Sequence, residues 1–388
     1  MKVLLFGLMY SQWTLHFVQN FLLANHCEVW MVNRNNKKEE YRKYIELYKR
    51  LGVHFIDVPD IVHELYDKRN KKSFLKNIHA HFHQLKSIIR SGPYDLINLH
   101  YVSSTNLIYT YIIKKCMKTK LILSYWGSDL LRADKNRLSL MGLFVRAADY
   151  ITFDNKDLEI KFKEVYGRAA KMPAETVLFG LPVLDKIHEK CRDGMSESIR
   201  KMWNIPDGKT VIAIGYSGTK EHQHVKVLKA VGKLEYHYKE LILLLLHITY
   251  SGAEDYKYQV LYEAEKTGGE YIAIQRFFTD DEIAELRIIT DIFINAQTTD
   301  AFSGSVCENL YAGTLLMNAQ WLCYQEFKDY DFKYMEFEDI HQIGQLIIRA
   351  FEQETDVSQN KDLIWRLRSW ECCGPRWLKV YKNVVKPG

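Results

Sequence analysis

Two carboxylates, Asp300 and Glu308, lie eight positions apart on either side of a short Ser-Gly-Ser turn. The strand-like run Asp291–Ala296 precedes Asp300, and a helical pattern begins after the turn. Ligands of doubly wound α/β domains bind at the carboxyl ends of strands, and a helix N-terminus attracts anions. Glu308 therefore suits a ribose diol, and Asp300 suits the hydroxyls of a transferred sugar. The pattern favours a nucleotide-sugar pocket, and the alternative is a helix-capping acid beside a surface acid.

The backbone around this turn and around a second, glycine-rich turn suits a phosphate. Backbone N–H groups at Ser303, Gly304 and Ser305 can approach an anion at the helix start. Gly215, Ser217 and Gly218 follow another strand-like run, and Lys220 adds a cation for a leaving diphosphate. A short glycine-rich turn alone has little specificity. We predict that these residues and Glu308 bind the donor, and that Lys220 and Asp300 act in catalysis.

A second set of polar residues follows strand-like runs in the first half of the chain. His100 ends the run 95–99, and Tyr125-Trp126-Gly127-Ser128-Asp129 follows the run 120–124. We predict that His100, Trp126 and Asp129, with Tyr10 after the first strand, bind an acceptor, and that His100 also acts in catalysis. The alternative for His100 is a buried histidine bonded to the backbone.

Short strands alternate with longer helices along the whole chain, which predicts parallel sheets. The predicted strands, in order, are 3–6, 28–32, 54–58, 95–99, 120–124, 150–153, 176–179, 210–215, 241–247, 272–274 and 291–296. Between them, Pro182–Gly208 is polar and ends in a Pro-Asp-Gly turn, which indicates a linker. We therefore predict a Rossmann-like acceptor domain over 1–190, a Rossmann-like nucleotide-sugar domain over 191–365, and a helix over 366–388 that crosses back to the first domain. A tryptophan-rich helix over 362–384 is expected to pack on a domain surface.

Composition limits the classes of protein that fit. A chain of 388 residues with 47% hydrophobic and 26% charged residues is typical of a two-domain globular protein. Seven cysteines without a framework spacing indicate a reducing compartment. The first residues are predicted to be a strand, not a signal peptide, and the longest apolar run is too short to cross a bilayer. We expect a cytoplasmic protein.

The charge is distributed unevenly between the two halves. Residues 1–190 hold 30 basic and 19 acidic residues, although the net charge of the chain is only +5. Basic residues alternate with apolar ones in Arg34–Arg50, Lys68–Arg90 and Lys114–Lys120. Such helices can lie on an anionic membrane surface, and the alternative is a solvated helix face. Nucleic acid is not an expected partner, because no binding motif accompanies these clusters.

The order of these features resembles the GT-B glycosyltransferases, particularly glycosyltransferase family 4. The stretches that carry the resemblance are Val3–Gly7, Tyr94–His100, Tyr125–Asp129, Asn204–Gly208 and Asp300–Gly313. The resemblance implies two Rossmann-like doubly wound domains facing each other across a cleft, and transfer of a hexosyl group from a nucleotide diphosphate sugar without metal or other cofactor. No Asp-x-Asp follows a predicted strand.

This sequence also departs from the family pattern. Asp300 stands where the family has Glu, Tyr216 where it has Arg, and Trp126 where many members have His. The resemblance implies a glycan acceptor, which we expect to be lipid-linked, in bacterial surface polysaccharide synthesis, with retention of configuration. Gly215–Gly218 and His224 also resemble the inverting acetamido-fucosyl transferases of enterobacterial common antigen synthesis. A third alternative is a non-catalytic nucleotide-sugar-binding subunit of a polysaccharide assembly complex.

Overall fold

The computed structural model describes residues 1–33, 39–58, 71–167, 171–249 and 254–385. These residues form two compact units, which are Met1–Gly180 with Cys373–Gly388, and Leu181–Cys372. The corresponding boundaries predicted from the sequence are residues 190 and 365. The basic clusters at 34–50 and 68–90 lie partly outside the described residues.

Unit 1 contains a seven-stranded parallel sheet with the order β3-β2-β1-β4-β5-β6-β7. Its strands are β1 (Lys2–Phe6), β2 (Glu28–Asn33), β3 (His54–Asp57), β4 (Leu96–His100), β5 (Lys120–Tyr125), β6 (Tyr150–Phe153) and β7 (Ala174–Thr176). Its helices are α1 (Gln12–Phe17), a π-helical turn (Val18–Leu23), α2 (Glu39–Arg50), α3 (Lys71–Arg90), α4 (Ser104–Met117), α5 (Ser128–Leu131), α6 (Lys135–Val145) and α7 (Lys156–Tyr166). The strand order changes direction between β1 and β4, which is where this topology binds ligands.

Unit 2 repeats the same topology in a six-stranded parallel sheet, β10-β9-β8-β11-β12-β13. Its strands are β8 (Thr210–Ile214), β9 (Ile242–His247), β10 (Glu270–Ile274), β11 (Ile292–Asn295), β12 (Leu315–Ala319) and β13 (Met335–Phe337). Its helices are α8 (Pro182–Arg192), α9 (Ser196–Met202), α10 (His224–Val231), α11 (Tyr236–Glu240), α12 (Glu254–Thr267), α13 (Asp280–Ile289), α14 (Gly304–Ala312), α15 (Gln325–Asp329), α16 (Ile343–Glu352) and α17 (Gln359–Arg368), with 3-10 turns at Lys220–His222 and Ile340–Gln342. The last helix, α18 (Trp370–Val385), lies mostly in unit 1.

The composition of the central strands explains why they lie inside the sheets. Every residue of β4 and of β9 is buried, β9 is aliphatic up to its last residue, and β4 combines three aliphatic residues with the buried polar residues Asn98 and His100. Such runs are typical of parallel strands that are covered by helices on both faces. The carboxyl ends of β4, β5, β8 and β11 are therefore held at fixed edges of the two sheets.

The predicted fold class is confirmed, and three local predictions are wrong. The segment 182–202 is not a linker but forms α8 and α9, because Val183, Leu184 and Ile187 recur at helical spacing and are buried. The strand predicted at 176–179 ends at Thr176. The single helix predicted over 362–384 is two helices, which separate at the extended residue Ser369.

The structure also contains strands that the sequence analysis did not identify. β12 and β13 complete the second sheet beyond β11. Among the described residues, no helix combines the length and the apolar character that a bilayer span requires.

Candidate functional site

The glycine-rich turn after β8 is held by close backbone contacts. Gly215 has a φ of +60°, and a Cβ at this position would lie 2.9 Å from Nδ1 of His222. A Cβ on Gly218 would lie 2.8 Å from the backbone carbonyl of Ile248, and the Gly218 N–H donates to the carbonyl of Thr249. Both positions therefore require glycine, for conformation at Gly215 and for space at Gly218.

This turn meets the loop after β11. The N–H of Thr298 donates to the carbonyl of Glu221 over 2.9 Å, and Nε2 of Gln223 donates to the carbonyl of Ala296 over 2.7 Å. The structure thus brings together two of the stretches that the sequence analysis selected. They meet at the boundary between β8 and β11, where the strand order of unit 2 changes direction.

Asp300 lies in the loop after β11 and is held by two tyrosines. The Tyr216 hydroxyl donates to Oδ1 over 3.0 Å, and the Tyr324 hydroxyl donates to Oδ2. Burial and the Asp300 charge raise the pKa of both phenols, so they remain protonated donors. Asp300 itself is only partly buried. Its carboxylate is therefore fixed in direction but not enclosed.

Glu308 lies in the second turn of α14 and forms an ion pair with Arg287 of α13. Nε and Nη2 of Arg287 donate to Oε2 over 3.2 and 3.1 Å. Burial raises the pKa of Glu308, although Arg287 opposes that shift. Among the described residues, Oε1 of Glu308 has no hydrogen-bond partner. One carboxylate oxygen is thus used by the fold, and the other can accept a ligand hydroxyl.

The start of α14 presents its backbone in the way that the sequence predicts. Ser303 is the N-cap residue with an extended conformation, and Gly304 and Ser305 open the helix. The first intrahelical bond runs from the Cys307 N–H to the Ser303 carbonyl, so the earlier amides are not used within the helix. The side chain of Ser305 accepts from Nη2 of Arg287 over 2.8 Å, which ties the helix start to the same arginine.

Lys220 and Ser217 lie on the surface side of the glycine-rich turn. Lys220 is exposed at the start of a 3-10 turn, and Ser217 is half-buried. Their assigned roles in donor binding and catalysis stay predictions.

Three buried histidines lie behind this edge of unit 2, and the sequence analysis gave them no role in donor binding. His222 and His224 follow the glycine-rich turn, and His247 ends β9. Burial, with Arg287 and the other two imidazoles nearby, lowers the pKa of His247, and burial lowers that of His224 to about 4. The imidazoles of His224 and His247 are therefore neutral near pH 7, and Arg287 supplies the cation of this group.

In unit 1, Asp129 is completely buried and accepts from the backbone. Oδ1 accepts the Gly127 N–H over 2.8 Å, Oδ2 accepts the Val102 N–H over 2.9 Å, and the Trp126 N–H donates to Oδ1 over 3.1 Å. Burial raises the pKa of Asp129 to about 6, against the lowering effect of these bonds. The carboxylate therefore joins the loop after β4 to the loop after β5, and its predicted contact with an acceptor stays a prediction.

His100 lies in an aromatic cluster at the end of β4. Its ring is 4.4 Å from that of Phe17, 5.4 Å from that of Phe179 and 5.6 Å from that of Trp126, measured between ring centroids. Neither ring nitrogen has a hydrogen-bond partner among the described residues, so the alternative of a backbone-bonded histidine does not hold. Burial lowers the pKa of His100 to about 3.

The other predicted acceptor residues lie near this cluster or on its flank. Trp126 is partly buried, and its indole N–H has no partner among the described residues. Tyr10, in the loop after β1, stacks on Tyr41 of α2 with 3.6 Å between ring centroids. A Cβ on Gly7 would lie 3.0 Å from Cβ of His100, so glycine at this position lets the loop pass close to β4.

Sequence reasoning missed three residues of the unit 2 network. Arg287 lies in α13, a helix with three acidic residues in its first turn, and the sequence of this helix gives no indication of a buried cation. Tyr216 was noted as a departure from the family pattern but not as a partner of Asp300. Tyr324 follows β12, a strand that was not identified. Within the described part of the chain, no three His, Cys, Asp or Glu side chains are grouped so that they could hold a metal ion.

Comparison with known proteins agrees with this architecture. Residues 2–155 match the glycosyl transferase 4-like family. A search of curated proteins finds no match. The structure is similar to HepE from Anabaena in complex with UDP, with a TM-score of 0.74, 12% identity and coverage of 99% of this chain and 100% of that one.

Two further solved structures have the same fold. A glycosyltransferase from Rickettsia africae has a TM-score of 0.76 at 13% identity, with coverage of 100% of this chain and 99% of that one. Sucrose-phosphate synthase from Thermosynechococcus elongatus has a TM-score of 0.70 at 13% identity, with coverage of 99% and 98%. The predicted resemblance is confirmed, because the structure has the GT-B fold and residues 2–155 match the glycosyl transferase 4-like family.

Proposed function

We propose that the protein transfers a hexosyl group from a nucleotide diphosphate sugar to a glycan acceptor. The observation that carries the proposal is the meeting of the turn after β8 with the loop after β11, where Tyr216 bonds to Asp300. Glu308 and the start of α14 follow in the same loop-helix unit. HepE, which has the same fold, is described in complexes with UDP and with UDP-glucose.

Each part of the donor has a chemically suitable partner in unit 2. Oε1 of Glu308 suits a ribose hydroxyl, and the amides of Gly304 and Ser305 with the positive end of α14 suit the diphosphate. Lys220, with Ser217 and the two glycines of the turn after β8, adds a cation and further backbone amides. Asp300 suits the transferred sugar.

The acceptor is assigned to unit 1, through Tyr10, His100, Trp126 and Asp129. His100 is neutral at physiological pH because burial lowers its pKa to about 3. A neutral imidazole has one donor and one acceptor nitrogen, and both lack partners among the described residues. His100 can therefore hold an acceptor hydroxyl without carrying a charge.

We propose a retaining transfer that needs no metal. The bond from the anomeric carbon to the diphosphate oxygen breaks, and the acceptor oxygen bonds to the same face of that carbon. The proton of the acceptor hydroxyl passes to an oxygen of the leaving phosphate. Lys220 and the amides at α14 stabilise the negative charge that develops on the diphosphate.

An inverting transfer is the second candidate, because Gly215–Gly218 and His224 resemble the acetamido-fucosyl transferases. The structure places His224 directly behind the glycine-rich turn, where a Cβ on Gly215 would lie 3.1 Å from its Nε2. The anomeric configuration of the product, measured by NMR, distinguishes the two reactions. A non-catalytic binding subunit would show no turnover of a labelled donor.

We propose a polyprenol-linked acceptor in bacterial surface polysaccharide assembly, reached from the cytoplasmic face of the membrane. On α6, the side chains of Leu140 and Leu143 are 49% and 69% exposed. Exposed Lys135 and Arg146 flank them, and the sequence from 135 to 146 contains no acid. Apolar side chains between cations suit an anionic bilayer surface.

Calorimetric titration with UDP, GDP and dTDP, and with the glucose ester of each, tests donor binding. We expect one base to bind with micromolar affinity, and no binding by any of the six would contradict the proposal. Glu308→Gln should weaken the nucleotide diphosphate at least tenfold, since it removes the charged acceptor for the ribose. Unchanged affinity would exclude the ribose role.

Two controls accompany this titration. The melting temperature of Glu308→Gln must be recorded, because the change also removes the partner of Arg287. Addition of EDTA should leave transfer intact, and loss of activity that Mg²⁺ restores would show that a metal is required.

A further inference from the structure

The two tyrosines at Asp300 form a structure that the proposed donor site does not explain. Tyr216 follows β8, Asp300 follows β11 and Tyr324 follows β12, so three loops of unit 2 meet at one carboxylate. One phenol donates to each carboxylate oxygen. We refer to Tyr216, Asp300 and Tyr324 as the tyrosine clamp.

The Tyr324 side of the clamp is rigid because it belongs to a buried polar network. Nδ2 of Asn295 donates to the Tyr324 hydroxyl over 2.9 Å and to Oδ1 of Asn318 over 3.0 Å. Nδ2 of Asn318 donates in turn to the carbonyl of Leu322. The asparagines and Tyr324 are almost completely buried. The Tyr324 hydroxyl thus accepts one bond and donates one, and its only donated bond goes to Asp300.

The Tyr216 side is held by the glycine-rich turn. The phenol donates to Oδ1 of Asp300 over 3.0 Å, and the ring packs edge-on against the imidazole of His222, with 4.5 Å between ring centroids. His222 is itself buried. Both carboxylate oxygens of Asp300 are therefore oriented by groups that have little freedom to move.

The clamp uses only half of the acceptor capacity of Asp300. An ionised carboxylate has about four lone-pair positions, two on each oxygen. The phenols occupy one position on each oxygen, and among the described residues no other donor reaches either oxygen. Since Asp300 is only partly buried, one acceptor position on each oxygen remains available to a ligand. Two such positions on one carboxylate suit two adjacent hydroxyls of a sugar ring.

We propose that Tyr216 and Tyr324 are positioning residues that aim Asp300 at a vicinal diol of the transferred sugar. The clamp selects a sugar that carries hydroxyls at two neighbouring carbons, and it disfavours deoxy sugars at either carbon. This inference rests on the proposed function of unit 2 as a nucleotide-sugar site. A missing sugar hydroxyl leaves a charged acceptor without its donor, which reduces binding by about tenfold or more.

A double-mutant cycle tests the proposal with the nucleotide diphosphate that binds in the titration above. The single variants are Tyr216→Phe, Tyr324→Phe and Asp300→Asn. The two double variants combine each tyrosine substitution with Asp300→Asn. The measured quantity is the ratio of the dissociation constants of the nucleoside diphosphate and of its glucose ester. We expect each single change to reduce this ratio about tenfold, because the diphosphate alone does not contact the clamp.

The two double variants show whether the tyrosines act through Asp300. If the tyrosines act through Asp300, neither Phe substitution will reduce the ratio more than about twofold once Asn replaces Asp300. Independent effects that multiply would overturn the clamp while leaving the proposed donor site intact. Failure of all nucleoside diphosphates to bind would instead overturn the proposed function.

Two further measurements exclude a merely structural effect. Tyr334→Phe is the matched control, because it removes another tyrosine-to-carboxylate bond of unit 2, the 2.8 Å bond to Glu336, and should leave the ratio unchanged. Competition between the glucose ester and its 2-, 3-, 4- and 6-deoxy analogues should show two adjacent deoxy positions disfavoured by the native protein, with this preference lost in Asp300→Asn. Equal binding of all analogues by the native protein would overturn the proposal.

Discussion

The edges of the two sheets where the strand order changes direction have the same topology, but they hold their carboxylates in different ways. In unit 1, Asp129 and His100 are completely buried, and the carboxylate is surrounded by backbone donors. In unit 2, Asp300 is partly exposed and is held by side chains, with acceptor capacity left over. An acid that follows a parallel strand can thus join two loops of the fold or face a ligand. The donors around it, more than its position in the topology, decide between these roles.

The largest expected effect comes from removing the carboxylate of unit 1. Asp129→Ala leaves three buried N–H groups without an acceptor, and each such group costs about 1–3 kcal/mol. We expect the free energy of unfolding to fall by about 3 kcal/mol or more, measured by urea denaturation. Asp300→Ala should cost less than half as much, since Asp300 accepts only two bonds and is itself only partly buried.

The comparison would fail if both substitutions destabilised the protein equally. Asp129→Asn serves as a milder variant if the alanine variant does not fold, because it keeps one acceptor oxygen. Its melting temperature should lie between those of the native protein and Asp129→Ala.

The second effect concerns acid stability and His100. Burial lowers its pKa from 6.5 to about 3, so the unfolded chain binds one more proton than the folded protein between these values. The contribution to stability is complete above pH 6.5 and is lost as the pH falls toward 3, at about 1.4 kcal/mol per pH unit. His100→Phe should therefore lose about 2.3 kcal/mol less than the native protein between pH 6.5 and 4.5, because the slope is only half complete at pH 6.5.

Denaturation curves across this pH range measure the difference in slope. His224 and His247 have lowered pKa values too, so they add slopes of the same sign in both proteins. Identical slopes for the native protein and His100→Phe would mean that His100 is accessible to protons in the folded state. In that case the side chain at the end of β4 would be open to solvent, as the partly exposed Asp300 of unit 2 is.

The fold could be predicted from the sequence more completely than the site. The buried strands β1, β4, β8 and β9 are predominantly apolar runs of five or six residues, so their positions follow from composition alone. β13 was missed because it is only three residues long with the exposed Glu336 at its centre, whereas β12 has an apolar run like those of the predicted strands. Helices α8 and α9 were taken for a linker because their exposed faces are highly charged.

The site was predicted in its positions but not in its pairings. Asp300 and Glu308 were selected by spacing, whereas their partners Arg287, Tyr216 and Tyr324 lie 21, 84 and 24 residues away from them. Such pairings depend on how loops from different strands meet, which no local pattern contains. The same limit applies to Asp129, whose backbone partners gave no signal in the sequence.

The third effect is the loss of stability when alanine replaces a glycine at the edge of either sheet. Gly218→Ala places a Cβ 2.8 Å from the carbonyl of Ile248, and backbone there cannot move without disturbing β9. We expect a loss of about 2 kcal/mol in unfolding free energy, which is in the range for overpacking. Gly7→Ala faces Cβ of His100 at 3.0 Å and should lose about 1 kcal/mol.

Gly374→Ala is the control for these substitutions. Nothing lies within 4 Å of its added Cβ, and the residue is inside α18, where alanine favours the helix by up to about 1 kcal/mol. Thermal denaturation should rank the three variants in the order Gly374, Gly7 and Gly218, from most to least stable. A Gly218 variant as stable as Gly374→Ala would show that the turn after β8 is less tightly held than its contacts indicate.

The smallest effect on stability is expected on the exposed face of unit 1. Leu140→Ser with Leu143→Ser should change the free energy of unfolding by less than about 0.5 kcal/mol, because both side chains are exposed. Sedimentation with vesicles of phosphatidylglycerol and phosphatidylcholine should nevertheless show much weaker binding. Equal sedimentation of native and variant protein would exclude this face as the membrane contact.

The return of α18 to unit 1 means that this unit is discontinuous in the chain. Trp377 and Tyr381 pack against Phe17 and Phe21, and the Tyr381 hydroxyl accepts from Asn98 in the middle of β4. During synthesis, residues 1–180 leave the ribosome before the segment that completes their core, and all of unit 2 is made in the interval. The N-terminal domain therefore matures last, even though it is translated first.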